Sequence, residues 1–258
     1  MTDQTAYIER LHVFSEATTE ERHVARQFLA IYEEARLHSG GTFLELGVDK
    51  GVSTRALLAA CDEVGGTLVS VDIRDCSAAV QSPHWQFIQA NSIDRDFICG
   101  QATHLLRGID VIYVDSLHTA EHVLKEIYTW FDLVKKDGVL FFGDIDSGPY
   151  MKGCRKNDAV IEISNRQVKY ALEDVFYANV GAIDYSTIYG STGLGIMRKR
   201  SQSFEGLAPY KRLRRRNNRA LAKFMQRIGM GPRYSNRSGL NRLGKNWWVL
   251  GGSNPSLK

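Results

Sequence analysis

The sequence predicts an α/β fold built on a largely parallel β-sheet. Between about residues 40 and 200, short apolar runs alternate with stretches whose apolar residues recur at helical spacing. The apolar runs are hydrophobic throughout, which is typical of strands that are covered by helices on both faces. Repeated strand–helix–strand units place such strands side by side in one sheet. The 258 residues suffice for one such domain and an appendage.

Turn residues and apolar patterns set the boundaries of the elements. Thr18 and Glu21 have the spacing of a capping box, which predicts an N-terminal helix over residues 18–38. Asp137-Gly138 indicates a turn after the fourth helix. Further helices are expected at 53–61, 98–106, 119–134 and 167–177. Seven strands are expected at 42–46, 67–71, 85–90, 109–114, 139–142, 182–189 and 193–197, the last two as an antiparallel pair.

Bulk composition is that of a globular protein, with 43% hydrophobic and 24% charged residues. No apolar run approaches the roughly 18 residues of a membrane span. The first 20 residues are acidic and lack the apolar stretch of a secretory signal, and the four cysteines show no CxxC spacing. We therefore expect a cytoplasmic protein, with residues 1–200 as its main domain and residues 40–200 as the core of that domain.

A basic C-terminal extension is expected over residues 201–258. It holds 13 Lys or Arg and one acid, whereas residues 1–200 hold 20 bases and 28 acids. Residues 210–228 have the pattern of a basic amphipathic helix, and Trp247-Trp248 could anchor in an interface. Such an extension suits an anionic partner, either RNA or a membrane surface. Binding to a membrane surface would place the protein at the membrane periphery. The opposite charges of the two segments favour docking of the extension on the acidic domain or on a second subunit.

A glycine turn follows the first strand. Glu45, Gly47, Gly51 and Ser53 form an ExGxxxGxS pattern at the junction of strand and helix, where backbone can approach a ligand closely. The turn lacks the spacing of dinucleotide-binding and phosphate-binding loops. An acid just before the turn suits a cofactor with a cationic amino group instead.

Two further polar positions follow the next strands. Asp72 ends the second strand, where a carboxylate can accept hydrogen bonds from both hydroxyls of a ribose. Asn91 and Ser92 follow the third strand, where an adenine edge could be read. In open parallel sheets, ligands bind beyond the carboxyl ends of the strands, so these residues are expected at one edge with the glycine turn.

With this set of residues the chain resembles the class I S-adenosylmethionine (SAM) dependent methyltransferases over roughly residues 40–200. The resemblance implies the Rossmann-like, seven-stranded methyltransferase sheet. It further implies that Gly47 and Gly51 contact the methionine part of SAM, that Asp72 holds the ribose, and that Asn91 or Ser92 lies near the adenine.

Acidic residues end the fourth and fifth strands. Asp115 and His118 follow the fourth, and Asp144 and Asp146 follow the fifth. Adjacent parallel strands would bring these carboxylates together, and carboxylates without cysteine suit a hard cation such as Mg²⁺. His118 could accept a proton, because imidazole titrates near neutrality.

This arrangement is similar to that of metal-dependent methyltransferases of sugars in macrolides and polysaccharides, and of cephalosporin-hydroxylase-like proteins. The resemblance implies that Asp115 binds the metal next to the cofactor, that His118 is the base, and that the protein is a homodimer. The chain departs from the family pattern at Gly143 and Ile145, since relatives often carry two adjacent acids there. Asp146 is expected to compensate.

Other interpretations remain open at this point. Asp115 and Asp144 could merely cap helices. His118, Glu121 and His122 match the HxxEH pattern of zinc peptidases, although their place in a strand–helix series favours solvated helix positions for Glu121 and His122.

The sequence as a whole favours a Mg²⁺-assisted O-methyltransferase that acts on a hydroxyl of a sugar, glycan or related small metabolite. Residues 144–158 would cover this acceptor. The alternatives are an RNA methyltransferase that uses the basic extension, and a non-catalytic protein on a SAM-binding fold.

Overall fold

All seven strands lie in one sheet in the computed structural model, which describes residues 3–215 and 218–228. The strands are β1 (Thr42–Leu46), β2 (Thr67–Asp72), β3 (Trp85–Gln89), β4 (Ile109–Val114), β5 (Val134–Phe142), β6 (Ile183–Ile188) and β7 (Leu194–Lys199). Their spatial order is β3-β2-β1-β4-β5-β7-β6. The first five pair in parallel, and β7 is antiparallel to both β5 and β6. The predicted Rossmann-like sheet and its antiparallel closing pair are confirmed.

Helices cover both faces of this sheet. They are α1 (Asp3–Glu16), α2 (Glu21–Ala35), α3 (Val52–Val64), α4 (Arg95–Gln101), α5 (Ala120–Trp130) and α6 (Ala159–Ala178). A further helix, α7 (Arg219–Arg227), belongs to a separate C-terminal unit. Single 3₁₀ turns lie at Thr103–Arg107, Phe131–Leu133 and Gly148–Tyr150. None of the helices among the described residues is long and apolar enough to cross a membrane.

Alternate side chains of each central strand enter two separate cores. In β4, Ile112 and Val114 pack with Trp130 of α5, whereas Val111 and Tyr113 belong to the cluster formed by α1, α2 and α3. Every residue of β4 is buried, because helices cover the strand on both sides. This double burial is why the strands read as continuous apolar runs in the sequence.

The N-terminal helices differ from the prediction. The predicted helix over 18–38 spans Glu21–Ala35, and its N-cap residue Glu20 makes no capping hydrogen bond. Thr18 therefore does not form the expected capping box. Helix α1 was missed because its buried apolar residues are few, chiefly Ile8 and Leu11, while Val13 and Phe14 are exposed.

The junction of α5 and β5 also differs. Val134 continues the helical apolar spacing in the sequence but is the first residue of β5. The predicted turn at Asp137-Gly138 lies inside this strand, where Asp137 has a φ of +66° and the register with β4 shifts. An added Cβ at Gly138 would stand 2.8 Å from the carbonyl oxygen of Asp110, so the two strands approach closely here.

Only part of the predicted C-terminal helix forms. Residues 213–258 are a separate unit, and within it α7 spans Arg219–Arg227 rather than 210–228. Arg219, Lys223 and Arg227 lie on one side of α7, and Leu221 and Phe224 on the other, by the 100° turn per residue. Trp247 and Trp248 lie outside the described residues.

A bidentate ion pair joins α2 to β7. Arg198 donates from Nη1 to Glu34 Oε1 at 2.9 Å and from Nη2 to Glu34 Oε2 at 2.6 Å. Burial opposes ionisation of Glu34, but hydrogen bonds from His38 and Arg198 more than offset it and lower its pKa to about 2. At neutral pH the carboxylate of Glu34 is therefore ionised and paired with Arg198.

We expect Glu34→Gln to destabilise the protein by about 2 kcal/mol at pH 7, because the guanidinium of Arg198 loses a charged partner. The lowered pKa means that Glu34 stabilises the folded state above about pH 4.5 and ceases to do so as the pH falls through about 2. Urea unfolding should show the two proteins converging as the pH falls through this range. The half-exposed neighbour Glu33, replaced by Gln, is the control; a Glu34→Gln loss that did not change with pH would contradict the assignment.

Candidate functional site

A cavity of about 590 Å³ lies beyond the carboxyl ends of the parallel strands. The loops after β1, β2, β3 and β4 and the first turn of α5 supply its wall. The lining residues are Gly47, Val48, Asp49, Val71, Asp72, Ile73, Arg74, Ala90, Asn91, Ser92, Asp115, Ser116, Leu117, His118 and His122. Six of them, from four separate loops, were expected at this edge from the sequence: Gly47, Asp72, Asn91, Ser92, Asp115 and His118.

The backbone at Gly47 passes very close to the loop after β4. Its φ is +99°, and an added Cβ would stand 2.2 Å from the carbonyl oxygen of Asp115. Its N–H donates to the carbonyl of Val71 at 2.8 Å, which ties the turn to β2. Only glycine fits here without displacing the loop that carries Asp115.

Gly51 serves the helix that follows rather than the cavity. It is the N-cap of α3 in the left-handed conformation, with a φ of +70°. An added Cβ would lie 3.1 Å from Val80 and 3.2 Å from Ala79. Gly51 is not among the lining residues.

Asp72 is held in place by backbone N–H groups. Val48 and Asp49 donate to its Oδ2 at 2.9 and 3.3 Å, and Arg74 donates to Oδ1 at 2.9 Å. Burial raises the pKa of Asp72, but these three N–H groups and the Arg74 guanidinium outweigh burial and lower it below its usual value. An ionised acceptor therefore faces the cavity at the end of β2.

Glu45 is buried completely behind the glycine turn. Its carboxylate accepts hydrogen bonds from the hydroxyls of Ser53 at 2.6 Å, Thr54 at 2.8 Å and Ser70 at 2.6 Å. Burial raises the pKa of Glu45 to about 7 against these donors. Neither Glu45 nor Ser53 lines the cavity, and the hydrogen bonds of Glu45 join β1 to β2 and α3.

Asp115, His118 and Asp144 converge at one place, and the first two line the cavity. His118 Nδ1 contacts the carboxylate of Asp144, and His118 Nε2 lies 3.4 Å from Asp115 Oδ1. Each of the three offers a ligand atom, and these atoms lie within 4.8 Å of one another, as a metal site requires. Tyr113 donates to the other oxygen of Asp115 at 3.0 Å. The predicted meeting of the β4 and β5 ends is thus observed.

The two carboxylates control the charge of His118. Burial lowers the pKa of His118, but the hydrogen bond and charge of Asp144, with the charge of Asp115, overcome this and raise it to about 9. Burial and the charge of Asp144 raise the pKa of Asp115 to about 6. The cluster therefore holds a protonated imidazole between two acids at neutral pH.

The absence of a side chain at Gly143 leaves room for the carboxylate of Asp115. An added Cβ at Gly143 would stand 2.2 Å from Asp115 Oδ1, so the departure from two adjacent acids makes room for this carboxylate. Asp144 itself has a φ of +56°. Ile145, the other departure, is fully buried in the core.

Asp146 does not join the cluster. It accepts from the N–H of Gly148 at 2.9 Å and from that of Gly190 at 2.9 Å. It therefore ties the loop after β5 to the β6–β7 turn, and the expected compensation for Gly143 and Ile145 by Asp146 is not observed. Residues 144–158 do form a loop, with one 3₁₀ turn and exposed tips.

Neither cluster acid caps a helix. The N-cap residues are Thr119 for α5 and Asp158 for α6, each of which accepts a hydrogen bond from its own first turn. The capping interpretation of Asp115 and Asp144 is therefore wrong.

The zinc-peptidase pattern is not assembled either. His118 precedes α5, the side chain of Glu121 is 81% exposed and pairs with Lys125, and the metal-capable group among the described residues includes neither Glu121 nor His122. The predicted exposure of Glu121 is confirmed.

His122 was expected in solvent and is instead part of the cavity wall. Its Nε2 lies 2.9 Å from Ser92 Oγ and 3.4 Å from Glu126 Oε1. Glu126 is fully buried and also accepts from Ser116 Oγ at 2.5 Å. The available signal was the i, i+4 spacing of a histidine and an acid on the buried face of a helix that follows a site strand.

One residue distant in sequence supports the site. The hydroxyl of Ser164, on α6, donates to the backbone carbonyl of His118. No local pattern in the sequence indicates this contact.

Residues 44–145 match a protein family described as Methyltransf_24, a methyltransferase domain. The predicted resemblance to the methyltransferases is confirmed over this range. No curated protein matches the chain in sequence.

Three solved structures share the fold. The MycE methyltransferase of the mycinamycin biosynthetic pathway, in complex with Mg and SAH, has a TM-score of 0.50 and 19% identity over 81% of this chain and 57% of its own. Cofactor-bound Rv0187 from MTB has a TM-score of 0.52 and 16% identity over 77% and 88%. The SAH-bound methyltransferase PaMTH1 of Podospora anserina has a TM-score of 0.50 and 17% identity over 78% and 89%. At such identities the likeness establishes the fold, and this chain spans little more than half the length of MycE.

Proposed function

We propose that this chain, with its methyltransferase domain over residues 44–145, transfers the methyl group of SAM to a hydroxyl oxygen with the help of Mg²⁺. One observation carries the proposal: Asp115 and His118 line the same cavity as Gly47 and Asp72. A group that can activate an acceptor thus stands beside a turn suited to a nucleoside cofactor.

The cavity residues fit SAM in three places. The bare α-carbon of Gly47 leaves room for the amino-acid end, the ionised Asp72 can accept from ribose hydroxyls, and Asn91 and Ser92 line the same cavity and can contact the nucleobase. Glu45, Gly51 and Ser53 act from behind by fixing the turn. SAM itself supplies an activated methyl group on a sulfonium, so the protein has chiefly to align the acceptor oxygen.

His118 is the proposed base. Removal of the acceptor proton makes the oxygen nucleophilic, and an imidazole within the cavity can take that proton on Nε2. Only the neutral imidazole can do this, whereas Asp115 and Asp144 favour the imidazolium. His118 can therefore act as a base only if another group, such as a bound cation, neutralises the charge of these two carboxylates.

Asp115 and Asp144 fit this requirement as ligands of Mg²⁺. Both are carboxylates, which magnesium prefers, and both lie within reach of one ion. A bound Mg²⁺ would stabilise the negative charge that forms on the acceptor oxygen. Asp146 is excluded from the ligand set by its bonds to Gly148 and Gly190.

Gly143→Ala is expected to weaken Mg²⁺ binding by about 10- to 100-fold, because the new Cβ occupies the position of Asp115 Oδ1. SAH affinity should stay within about twofold, since Gly143 does not line the cavity. Calorimetric titration with each ligand separates the two effects. Gly181→Ala, where an added Cβ meets nothing within 4 Å, is the matched control; undiminished Mg²⁺ affinity in Gly143→Ala would rule out Asp115 as a ligand.

The acceptor is proposed to be a sugar, glycan or related small metabolite. Resemblance of the Asp115–His118 motif to sugar methyltransferases supports this, and the 144–158 loop at the same sheet edge would cover the acceptor. Methyl-labelled SAM incubated with the protein and candidate acceptors, with and without chelator, tests the proposal. Labelled product that disappears on chelation is expected; failure of the purified protein to bind either SAM or SAH would refute it.

We further propose that the basic extension meets an anionic partner. The separation of basic and apolar side chains around α7 supports a membrane surface over RNA, since RNA offers little to exposed Leu221 and Phe224. Such a partner would place the protein at the membrane periphery. A homodimer stays a proposal that rests on the family resemblance.

A further inference from the structure

Four polar side chains form a connected row along one wall of the cavity. In order they are Ser92, His122, Glu126 and Ser116, joined by contacts of 2.9, 3.4 and 2.5 Å. Three of the four line the cavity, and Glu126 lies behind them without exposed surface. The proposed methyl transfer uses neither His122 nor Glu126, so this row needs an explanation of its own.

Glu126 fixes the direction of the hydrogen bonds in the row. Its Oε1 accepts the hydroxyl proton of Ser116 and faces His122 Nε2. A carboxylate oxygen beside a ring nitrogen is stable only when that nitrogen carries a hydrogen. The second oxygen, Oε2, is buried with no hydrogen-bond partner among residues 3–215 and 218–228. A donor at His122 therefore stabilises a carboxylate that has few other hydrogen bonds. His122 therefore carries a hydrogen on Nε2.

This hydrogen determines what Ser92 can do. The one hydrogen on Nε2 is shared between Glu126 Oε1, at 3.4 Å, and Ser92 Oγ, at 2.9 Å, so Ser92 Oγ can only accept from this nitrogen. The hydroxyl hydrogen of Ser92 is then free to donate to a ligand in the cavity. Trp130 Nε1 donates to the carbonyl of Ser92 at 2.8 Å and holds the backbone in place. Ser92 is thus set as a hydrogen-bond donor in the wall of the cavity.

We propose that Glu126 and His122 are positioning residues that orient the Ser92 hydroxyl as a donor to an unprotonated nitrogen of a purine, and so select adenine over hypoxanthine. This inference rests on the proposed SAM site. Adenine presents a bare N1 at its Watson–Crick edge, whereas hypoxanthine presents N1–H. A fixed donor pairs with the first and opposes the second, and buried sites built to hydrogen-bond a ligand reject mismatched analogues strongly.

Calorimetry with S-adenosylhomocysteine and S-inosylhomocysteine tests the inference in the full chain. The wild type should bind the adenosyl compound at least about tenfold more tightly. His122→Leu and Ser92→Ala should reduce that ratio to about two or less, with most of the change in the affinity of the adenosyl compound. His122→Gln should keep the affinity ratio of the wild type, because the glutamine amide nitrogen can donate from near the position of Nε2.

Glu126→Gln and Glu121→Gln form a matched pair on one helix. The first removes the buried acceptor that orders the row, and the second alters an exposed acid that faces solvent. Only Glu126→Gln should reduce the ratio; thermal unfolding of each variant shows whether the fold persists.

Two results for His122→Leu would overturn the inference. The first is an affinity ratio of the two compounds equal to that of the wild type. The second is an equal loss of affinity for both compounds, which would indicate a merely structural role. Absence of binding of either compound to the wild type would instead refute the SAM site itself.

Discussion

His118→Ala is expected to slow methyl transfer by about 100- to 10,000-fold, the range that loss of a general base produces. The dissociation constant for SAH should remain within about twofold, because the proposed SAM contacts are at Gly47, Asp72 and the loop after β3. The measurement is steady-state turnover of the acceptor identified with labelled SAM, combined with calorimetric titration of SAH.

The control for this variant is His84→Ala. His84 lies away from the cavity and contacts the backbone carbonyl of Gly66 at 2.9 Å, so turnover should not change. Mg²⁺ titration of His118→Ala separates a lost base from a lost ligand, since all three cluster residues can reach one ion. Turnover close to that of the wild type would remove His118 from the mechanism.

Gly47→Ala is expected to weaken SAH binding by about 100-fold or more. An alanine in the left-handed region costs about 1–3 kcal/mol by itself, and here its Cβ would also overlap the carbonyl oxygen of Asp115. The loop after β4 must move, and with it the wall of the cavity. Calorimetry with SAH and a thermal unfolding curve measure both consequences.

Gly65→Ala provides a matched control for conformation alone. Gly65 has a φ of +67°, but an added Cβ there meets nothing within 4 Å. This variant should lose stability without losing SAH affinity. If Gly47→Ala bound SAH as the wild type does, the close approach of the two loops would have no part in the cofactor site.

The central sheet and the main cluster could be predicted because they follow from regular geometry. Strands covered on both faces are apolar throughout, so β1, β2 and β4 were placed almost to the residue. Parallel strands end at one edge, which brought Asp115, His118 and Asp144 together without knowledge of any distant contact.

The features that the sequence did not predict depend on contacts in the folded chain, which no local sequence pattern indicates. Asp146 has the same residue type and nearly the same position as Asp144, yet it bonds to Gly190, 44 residues away. Glu126 resembles a solvated helix acid in the sequence but is fully buried, where it contacts Ser116 and His122. Val134 fits a helical period and is a strand residue because the bulge at Asp137 sets the register of β5.

The contact between the bare α-carbon of residue 143 and the carboxyl oxygen of residue 115 has a consequence for how this site can diverge. An acid cannot be introduced at Gly143 while Asp115 keeps its rotamer, since both would occupy one volume. In relatives that keep an Asp equivalent to Asp115 and carry two adjacent acids, the second acid should therefore stand at the position of Ile145, or the equivalent of Asp115 should adopt another rotamer.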